Sequence, residues 1–163
     1  MFREMRRKGQ MLSLEESKSI LDKMTSGVLA VLGDDDYPYA VPISYVCQGD
    51  KIYFHSALSG HKIDAVRKCD KASFCVVDKD EIIPEKYTTY YRSVIAFGKI
   101  RIIDNDSDKL KAIDLLAKKY SPEEEGRSAE ITKNINRMLL LELTIEHITG
   151  KEAIELARQK RNS

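Results

Sequence analysis

Between Leu14 and Met24 the apolar or small residues Leu14, Ser17, Ile20, Leu21 and Met24 recur at helical spacing, and Ser13 followed by Glu16 gives a capping box at the start. Past Gly27 the period changes. Val28–Leu32 is an apolar run of strand length, Gly33-Asp34-Asp35-Asp36 is turn material, and Tyr37–Val46 is extended again, so the two runs predict a hairpin. Gln48-Gly49-Asp50 makes the next turn and leads into Lys51–Ser56, where Ile52 and Phe54 alternate with Tyr53 and His55. Successive parallel strands need a crossover helix, and these three strands leave no room for one. The first third of the chain therefore predicts an antiparallel meander.

Ser59-Gly60 opens a short helix with Ile63, Val66 and Arg67 at helical spacing, and Lys71–Val77 returns to strand. Asp78–Lys86 contains Pro84 and has no periodicity, which predicts a loop. Tyr90–Ile103 is a long strand interrupted by Gly98, and a glycine inside a strand pattern signals a bulge or a barrel corner. Asp106–Tyr120 is an amphipathic helix with Leu110, Ile113, Leu116 and Ala117 on its apolar face. After Ser121-Pro122 comes a weakly helical stretch, then the strand Met138–Ile148; Gly150 separates that strand from a last helix, Lys151–Arg161. Six strands, mostly sequential neighbours, and about four helices predict a mainly β fold, an antiparallel barrel with peripheral α-helices. No repeat or linker divides the chain, so residues 1–163 read as a single domain.

The charge balance removes several function classes. With 27 basic and 26 acidic residues and a formal charge of +1, the chain has no bulk attraction for nucleic acid or an anionic membrane. Nothing approaches the ~20 apolar residues of a membrane span, and the N-terminus opens with charges instead of an apolar signal segment. Cys47, Cys69 and Cys75 are odd in number and lack C-x-x-C spacing, so they read as plain core or surface thiols in a reducing cytoplasm. The basic clusters Arg3, Arg6, Arg7, Lys8 and Arg158, Lys160, Arg161 read as solvated chain ends.

Of three histidines, His55, His61 and His147, none sits in an H-E-x-x-H motif, and no Walker loop, G-x-S-x-G or G-x-G-x-x-G is present. Zinc hydrolase, phosphotransferase and serine esterase readings therefore lack support. The informative segment is Tyr53-Phe54-His55-Ser56-Ala57-Leu58-Ser59-Gly60-His61-Lys62, in which a strand ends, hydroxyls and a glycine follow, and two basic residues open a helix. The first helical turn supplies unpaired N–H groups and a positive dipole end. With Ser56 and Lys62 beside it, this makes a cradle for a terminal monophosphate. In the plainer alternative, Ser59 caps the helix and Lys62 is solvated.

Tyr53–Lys62 resembles the segment of the pyridoxamine 5'-phosphate oxidase-like superfamily in which a basic pair opens the helix after the strand. Ser56 falls at the family's hydroxyl, Lys62 at its phosphate-binding lysine, and His61 where the oxidases have arginine. Tyr39-Ala40-Val41-Pro42-Ile43-Ser44 resembles the strand whose backbone lies against the flavin ring, and Tyr91–Lys99 resembles the long strand that brings a polar residue, here Ser93, from a partner subunit. Met5-Arg6-Arg7-Lys8, Tyr37–Pro42, Phe54–Ala57 and Ile148-Thr149-Gly150-Lys151 are most similar to the nitroimidazole-resistance and flavin-nucleotide-binding branch.

The resemblance implies a six-stranded antiparallel split barrel of the FMN-binding type. It implies a homodimer with FMN, or alternatively FAD, at the subunit interface, held by Val41, Pro42, Ile43, Ser44, His55, Ser56, Ala57, His61, Lys62, Arg92 and Ser93. The implied activity is reduction of a small electron-poor substrate such as a nitroaromatic, with His61 the candidate proton donor. The alternatives are a non-catalytic flavin-binding protein and a split barrel for haem or deazaflavin. The chain departs from the full oxidases in having no tryptophan and in a flavin strand reading Val-Pro-Ile-Ser, which speaks against vitamin B6 oxidation. Arg92 either reaches across the interface or points to solvent. His147 reads as structural, Pro42 as an edge-strand residue, and Tyr87, Tyr90 and Tyr91 as packing or a pocket wall.

Overall fold

Side chains alternate faces along a strand, and here one face of each strand is apolar and goes inward. β1 (Ser26–Leu32) buries Leu29 and Val31, and β4 (Lys51–Ser56) buries Ile52, Phe54 and Ser56. The structure, a computed structural model, describes residues 1–122, 131, 133 and 135–162. With β2 (Pro38–Ser44), β3 (Val46–Gln48), β5 (Lys71–Ile83), β6 (Thr88–Ile102) and β7 (Leu139–Glu152), these strands form one sheet in the order β2-β1-β5-β6-β7-β4-β3. Every pairing is antiparallel.

The two edge strands, β2 and β3, are separated in sequence by Tyr45 alone. The sheet therefore curls until the chain itself joins its edges, giving the mainly β split barrel with peripheral helices. The strand count is seven instead of six because the expected strand Tyr37–Val46 is bent at Tyr45 into two. That bend is held on all sides. Tyr45 is fully buried, donates its hydroxyl to the Leu21 carbonyl at 2.7 Å, and meets the Phe74 ring edge-on at 4.7 Å. Its N–H donates to the Tyr120 hydroxyl at 2.9 Å, and that hydroxyl also lies against the Tyr45 and Thr25 carbonyls. Burial pushes the Tyr45 phenol well above its ordinary pKa.

Among the described residues four α-helices pack around the barrel: α1 (Leu14–Lys23), α2 (His61–Lys68), α3 (Asp106–Tyr120) and, at the end of the chain, α4 (Ile154–Arg161). The capping box forms as expected, with the Glu16 N–H donating to Ser13 Oγ at 3.1 Å and the Ser13 N–H donating to the Glu16 carboxylate at 2.8 Å. α3 buries Ala112, Ile113 and Leu116 against Val46, Ile103 and Leu140. Leu110 is exposed, contrary to the expected apolar face. Most of the weakly helical stretch expected after Pro122 lies outside the described residues; at its end Ile135–Arg137 form a single 3-10 turn.

Two further expectations are corrected and one is met. The segment predicted as a loop, Asp78–Lys86, is strand as far as Ile83: after a bulge at Asp78, Lys79–Ile83 pairs with Thr88–Arg92 in a hairpin that projects past the barrel, with Ile82 and Tyr87 exposed at its end. Backbone pairing maintains this arm although neither face is buried enough to impose alternation. Gly150 does not end β7, which continues to Glu152. Its missing Cβ makes room for Leu12 and the Ser17 hydroxyl as α1 crosses the strand. The expected bulge at Gly98 is present, between Phe97 and Gly98, where a Cβ would collide with the Thr144 carbonyl of β7.

The C-terminal basic cluster is not loose. Lys160 binds Glu16 at 2.5 Å and Glu152 at 3.0 Å, and Arg161 donates to the Gly9 carbonyl at 3.0 Å, tying α4 to α1 and to the N-terminal segment. Hydrogen bonds from Lys160 and from the Ser13 N–H hold the Glu16 carboxyl down from 4.5 to about 2. A lowered folded-state pKa contributes stability above the unfolded value and loses it as pH falls toward the folded one. Glu16→Gln should thus be less stable than the parent at neutral pH, and the two urea midpoints should converge as the pH falls from about 5 toward 2. The gap should be small, because the Glu16 side chain is 43% exposed and solvent screens the pair.

Candidate functional site

The segment from Ser56 to Lys62 sits where β4 leaves the barrel and α2 begins. Ser56 is the last inward residue of β4, 8% exposed, and its hydroxyl has no hydrogen-bond partner among the described residues. His55 alternates outward and is exposed, as is Ala57 beyond the strand end. Gly60, at φ 128, is the N-cap of α2, and no side chain caps the helix. Ser59 does not fill that role, so the first amides of α2 keep their donors free. Lys62 is half-buried and, among the described residues, has no carboxylate partner; burial alone lowers its pKa. A desolvated cation without a counter-ion, beside free amides and an unengaged hydroxyl, is suited to an anion.

His61 is placed differently from its neighbour. Its ring stacks on Tyr39 of β2 at 4.2 Å, and its Nε2 accepts from the Asp34 N–H at 3.2 Å. Along β2, Val41 and Ile43 pack on the barrel core while Pro42 and Ser44 point to the outer face. β2 is an edge strand, as the proline requires, since it has no N–H to give a ladder.

Arg92 and Ser93 lie far from α2. Arg92 donates to Asp78 at 3.2 Å and to Glu152 at 3.2 Å, two carboxylates on nearly buried side chains that sequence patterns did not pair with it. It lines a cleft of about 390 Å³ with Lys23, Lys160 and Glu16. Ser93 faces outward between Val77 and Lys151. Ser56 pairs with Leu139 of β7, whereas Ser93 pairs with Lys151 of the same strand. At ~3.3 Å per residue that is about 40 Å of strand path.

Part of the outer face of the sheet is poor in charge, whereas Lys71, Lys99 and Arg101 stand farther along it. Pro42, Val28, Cys75, Ile95 and Thr149 form one cross-strand row, with Ala40, Ala30, Ser73, Phe97 and His147 in the next. Val28, Val77 and Ile95 are 37%, 53% and 36% exposed on this face. His147 stacks on Phe2 at 4.7 Å, in keeping with a structural role, and its Nε2 is buried without a hydrogen-bond partner among the described residues. Burial raises the thiol pKa of Cys47 to about 12 and also raises that of Cys75, so neither is an activated nucleophile. Among the described residues no cluster of metal-ligating side chains occurs, and no helix is long and apolar enough to cross a membrane.

The fold is a split barrel in which Ser56, Lys62 and the uncapped start of α2 meet at the β4–α2 corner. The sequence pattern of the pyridoxamine 5'-phosphate oxidase family matches residues 13–152, and the chain belongs to that family. Among solved structures it is similar to an FAD-binding protein from Mesorhizobium loti, at 26% identity and TM-score 0.65, covering 88% of this chain and 97% of that one. An FAD- and haem-binding protein from Mycobacterium smegmatis is similar at 24% identity and TM-score 0.73, covering 90% and 74%. A proposed 5-nitroimidazole antibiotic resistance protein from Bacteroides thetaiotaomicron has 18% identity and TM-score 0.75, covering 87% and 86%. No curated protein matches the chain.

The resemblance had already marked Ser56, His61 and Lys62, and the structure brings them to one corner of the fold. It missed Gly33, Asp34 and Tyr39 as partners of His61. The available signal was the Gly33–Asp36 turn itself, which leads straight into the strand that carries Tyr39.

Proposed function

We propose that the protein binds a flavin, FMN in preference to FAD, between two copies of the chain and uses it to reduce a small electron-poor substrate. The observation that carries this reading is Lys62, a half-buried cation without a carboxylate partner among the described residues, next to the uncapped start of α2 and the unengaged Ser56 hydroxyl. Family membership and the flavin-binding relatives support the choice of a flavin as the anion's owner.

A terminal monophosphate suits this corner better than a diphosphate continuing to an adenosine. Lys62 is its one cation without a partner among the described residues, and the acidic turn Asp34–Asp36 docks on its neighbour His61. The backbone of β2, with Val41 to Ser44, is the surface for the ring. Ser93 contributes only if it comes from a second copy, given the strand path that separates it from Ser56. The outer face around Val28, Val77 and Ile95 is the surface for that copy, because an apolar sheet face of this kind is stable when covered. Arg92 is already compensated by Asp78 and Glu152 and so is left to hold the arm.

A bound flavin supplies the electron transfer, while the chain binds, orients and shields it. Nitroaromatic compounds are the substrate class to test first, with NADH or NADPH as donor. Mass spectrometry of the ligand released from purified, yellow protein decides the assignment: FMN is expected, and haem, deazaflavin or no ligand even after incubation with FMN overturns it. Bound flavin that stays oxidised under anaerobic NADPH with a nitroaromatic would leave binding and remove the proposed reduction.

A further inference from the structure

The geometry assigns His61 a positioning role: as a neutral imidazole it fastens the start of α2 to the β1–β2 turn and to Tyr39, fixing the spacing between Lys62 and the backbone of β2. This rests on the flavin reading, in which Lys62 meets the phosphate and β2 meets the ring.

A ring nitrogen that accepts a hydrogen bond carries no proton, so the Asp34 N–H at 3.2 Å selects the tautomer with its hydrogen on Nδ1. The Asp34 carboxylate is 3.7 Å from the same nitrogen, beyond hydrogen-bond distance. The turn is shaped to receive the ring. Gly33 N–H donates to the Tyr37 carbonyl at 2.8 Å, Tyr37 N–H returns to Asp34 at 3.0 Å, and Asp35 and Asp36 both take positive φ, 51° and 61°. At Gly33 a Cβ would stand 2.7 Å from His61 Nε2 and 3.1 Å from both the Tyr37 carbonyl and Tyr39 Cβ. A side chain at Gly33 would therefore displace the imidazole, although the backbone angles there suit any residue. On the other side the Tyr39 ring, 4.2 Å away and inclined by 30°, covers the imidazole. His61 thus touches the turn before β2 and a side chain of β2, while its chain neighbour is Lys62. Engaged in this way, Nε2 offers no donor to a phosphate, and the ring's one N–H is at Nδ1.

Two substitutions separate its contacts. His61→Phe keeps a ring on Tyr39 and removes the acceptor; His61→Gln restores an acceptor of similar reach. Asp34 is exposed, so its freed N–H finds water and the fold should tolerate either change. His61→Phe is expected to speed hydrogen exchange at the Asp34 amide in the ligand-free protein and to raise the FMN dissociation constant roughly tenfold. His61→Gln should return both toward the parent values. Unchanged exchange and unchanged FMN affinity in His61→Phe would overturn the assignment, as would equal losses in both variants, because the acceptor restored by glutamine would then rescue nothing. If the parent takes up no FMN, the flavin reading fails, and the exchange rates alone then decide whether His61 pins the turn.

Discussion

Replacing Lys62 with alanine is expected to raise the FMN dissociation constant by roughly ten- to a hundredfold while leaving the urea unfolding midpoint of the ligand-free protein nearly unchanged. Hydrogen bonds to charged groups contribute about 1.5–3 kcal/mol, and about 1.4 kcal/mol corresponds to a factor of ten in affinity. The folded state gives up little in exchange. Lys62 has no carboxylate partner among the described residues, and burial disfavours its charge, as the lowered pKa records. Truncation therefore removes a desolvation cost together with some packing of the side-chain stem. Fluorescence titration with FMN, alongside urea denaturation, reads both quantities. Equal FMN affinity in the variant and the parent would take Lys62 out of the site, and a large fall in the midpoint would make its role structural.

The other large effect is expected from Ile95→Glu. Ile95 lies in the outer row between Cys75 and Thr149, two strands from Val28, which lies beyond Cys75, and its side chain is 36% exposed. A carboxylate there remains hydrated in a single chain, so secondary structure by circular dichroism should be preserved. Between two copies it would be desolvated without a partner, at a cost of several kcal/mol. Sedimentation should show a dimer for the parent and a monomer for the variant, and the variant should lose its flavin because Ser93 and Ser56 could no longer meet across copies. A monomeric parent that still retains flavin would refute the shared site. A dimeric variant with full flavin occupancy would move the interface elsewhere.

The elements with strong period were legible in the sequence. Lys51–Ser56 and Asp106–Tyr120 were read to the residue, and the box at Ser13 and Glu16 marked the start of α1, because each of these signals is local. What stayed hidden depends on partners distant in sequence. The arm at Lys79–Ile83 has no apolar alternation because neither of its faces is covered, and only its pairing with Thr88–Arg92 makes it strand. Gly150 looked like a stop, although its lack of a side chain serves the crossing of α1. The bend at Tyr45 is set by Tyr120 from α3, which no window around Tyr45 contains. At the candidate site the strand-to-helix corner with Ser56 and Lys62 was visible because it is contiguous. Arg92 was not, since its partners Asp78 and Glu152 are 14 and 60 residues away.

Because β2 and β3 are a single length of chain occupying both rims of the sheet, the barrel resembles a hoop fastened by one buckle. Ordinary sheets fray rim by rim, each outer strand peeling independently of the opposite one. In this molecule peeling one rim pulls on the other through Tyr45, so loosening is coupled across the whole circumference and passes through the phenol–carbonyl clasp that joins Tyr45, Leu21 and Tyr120.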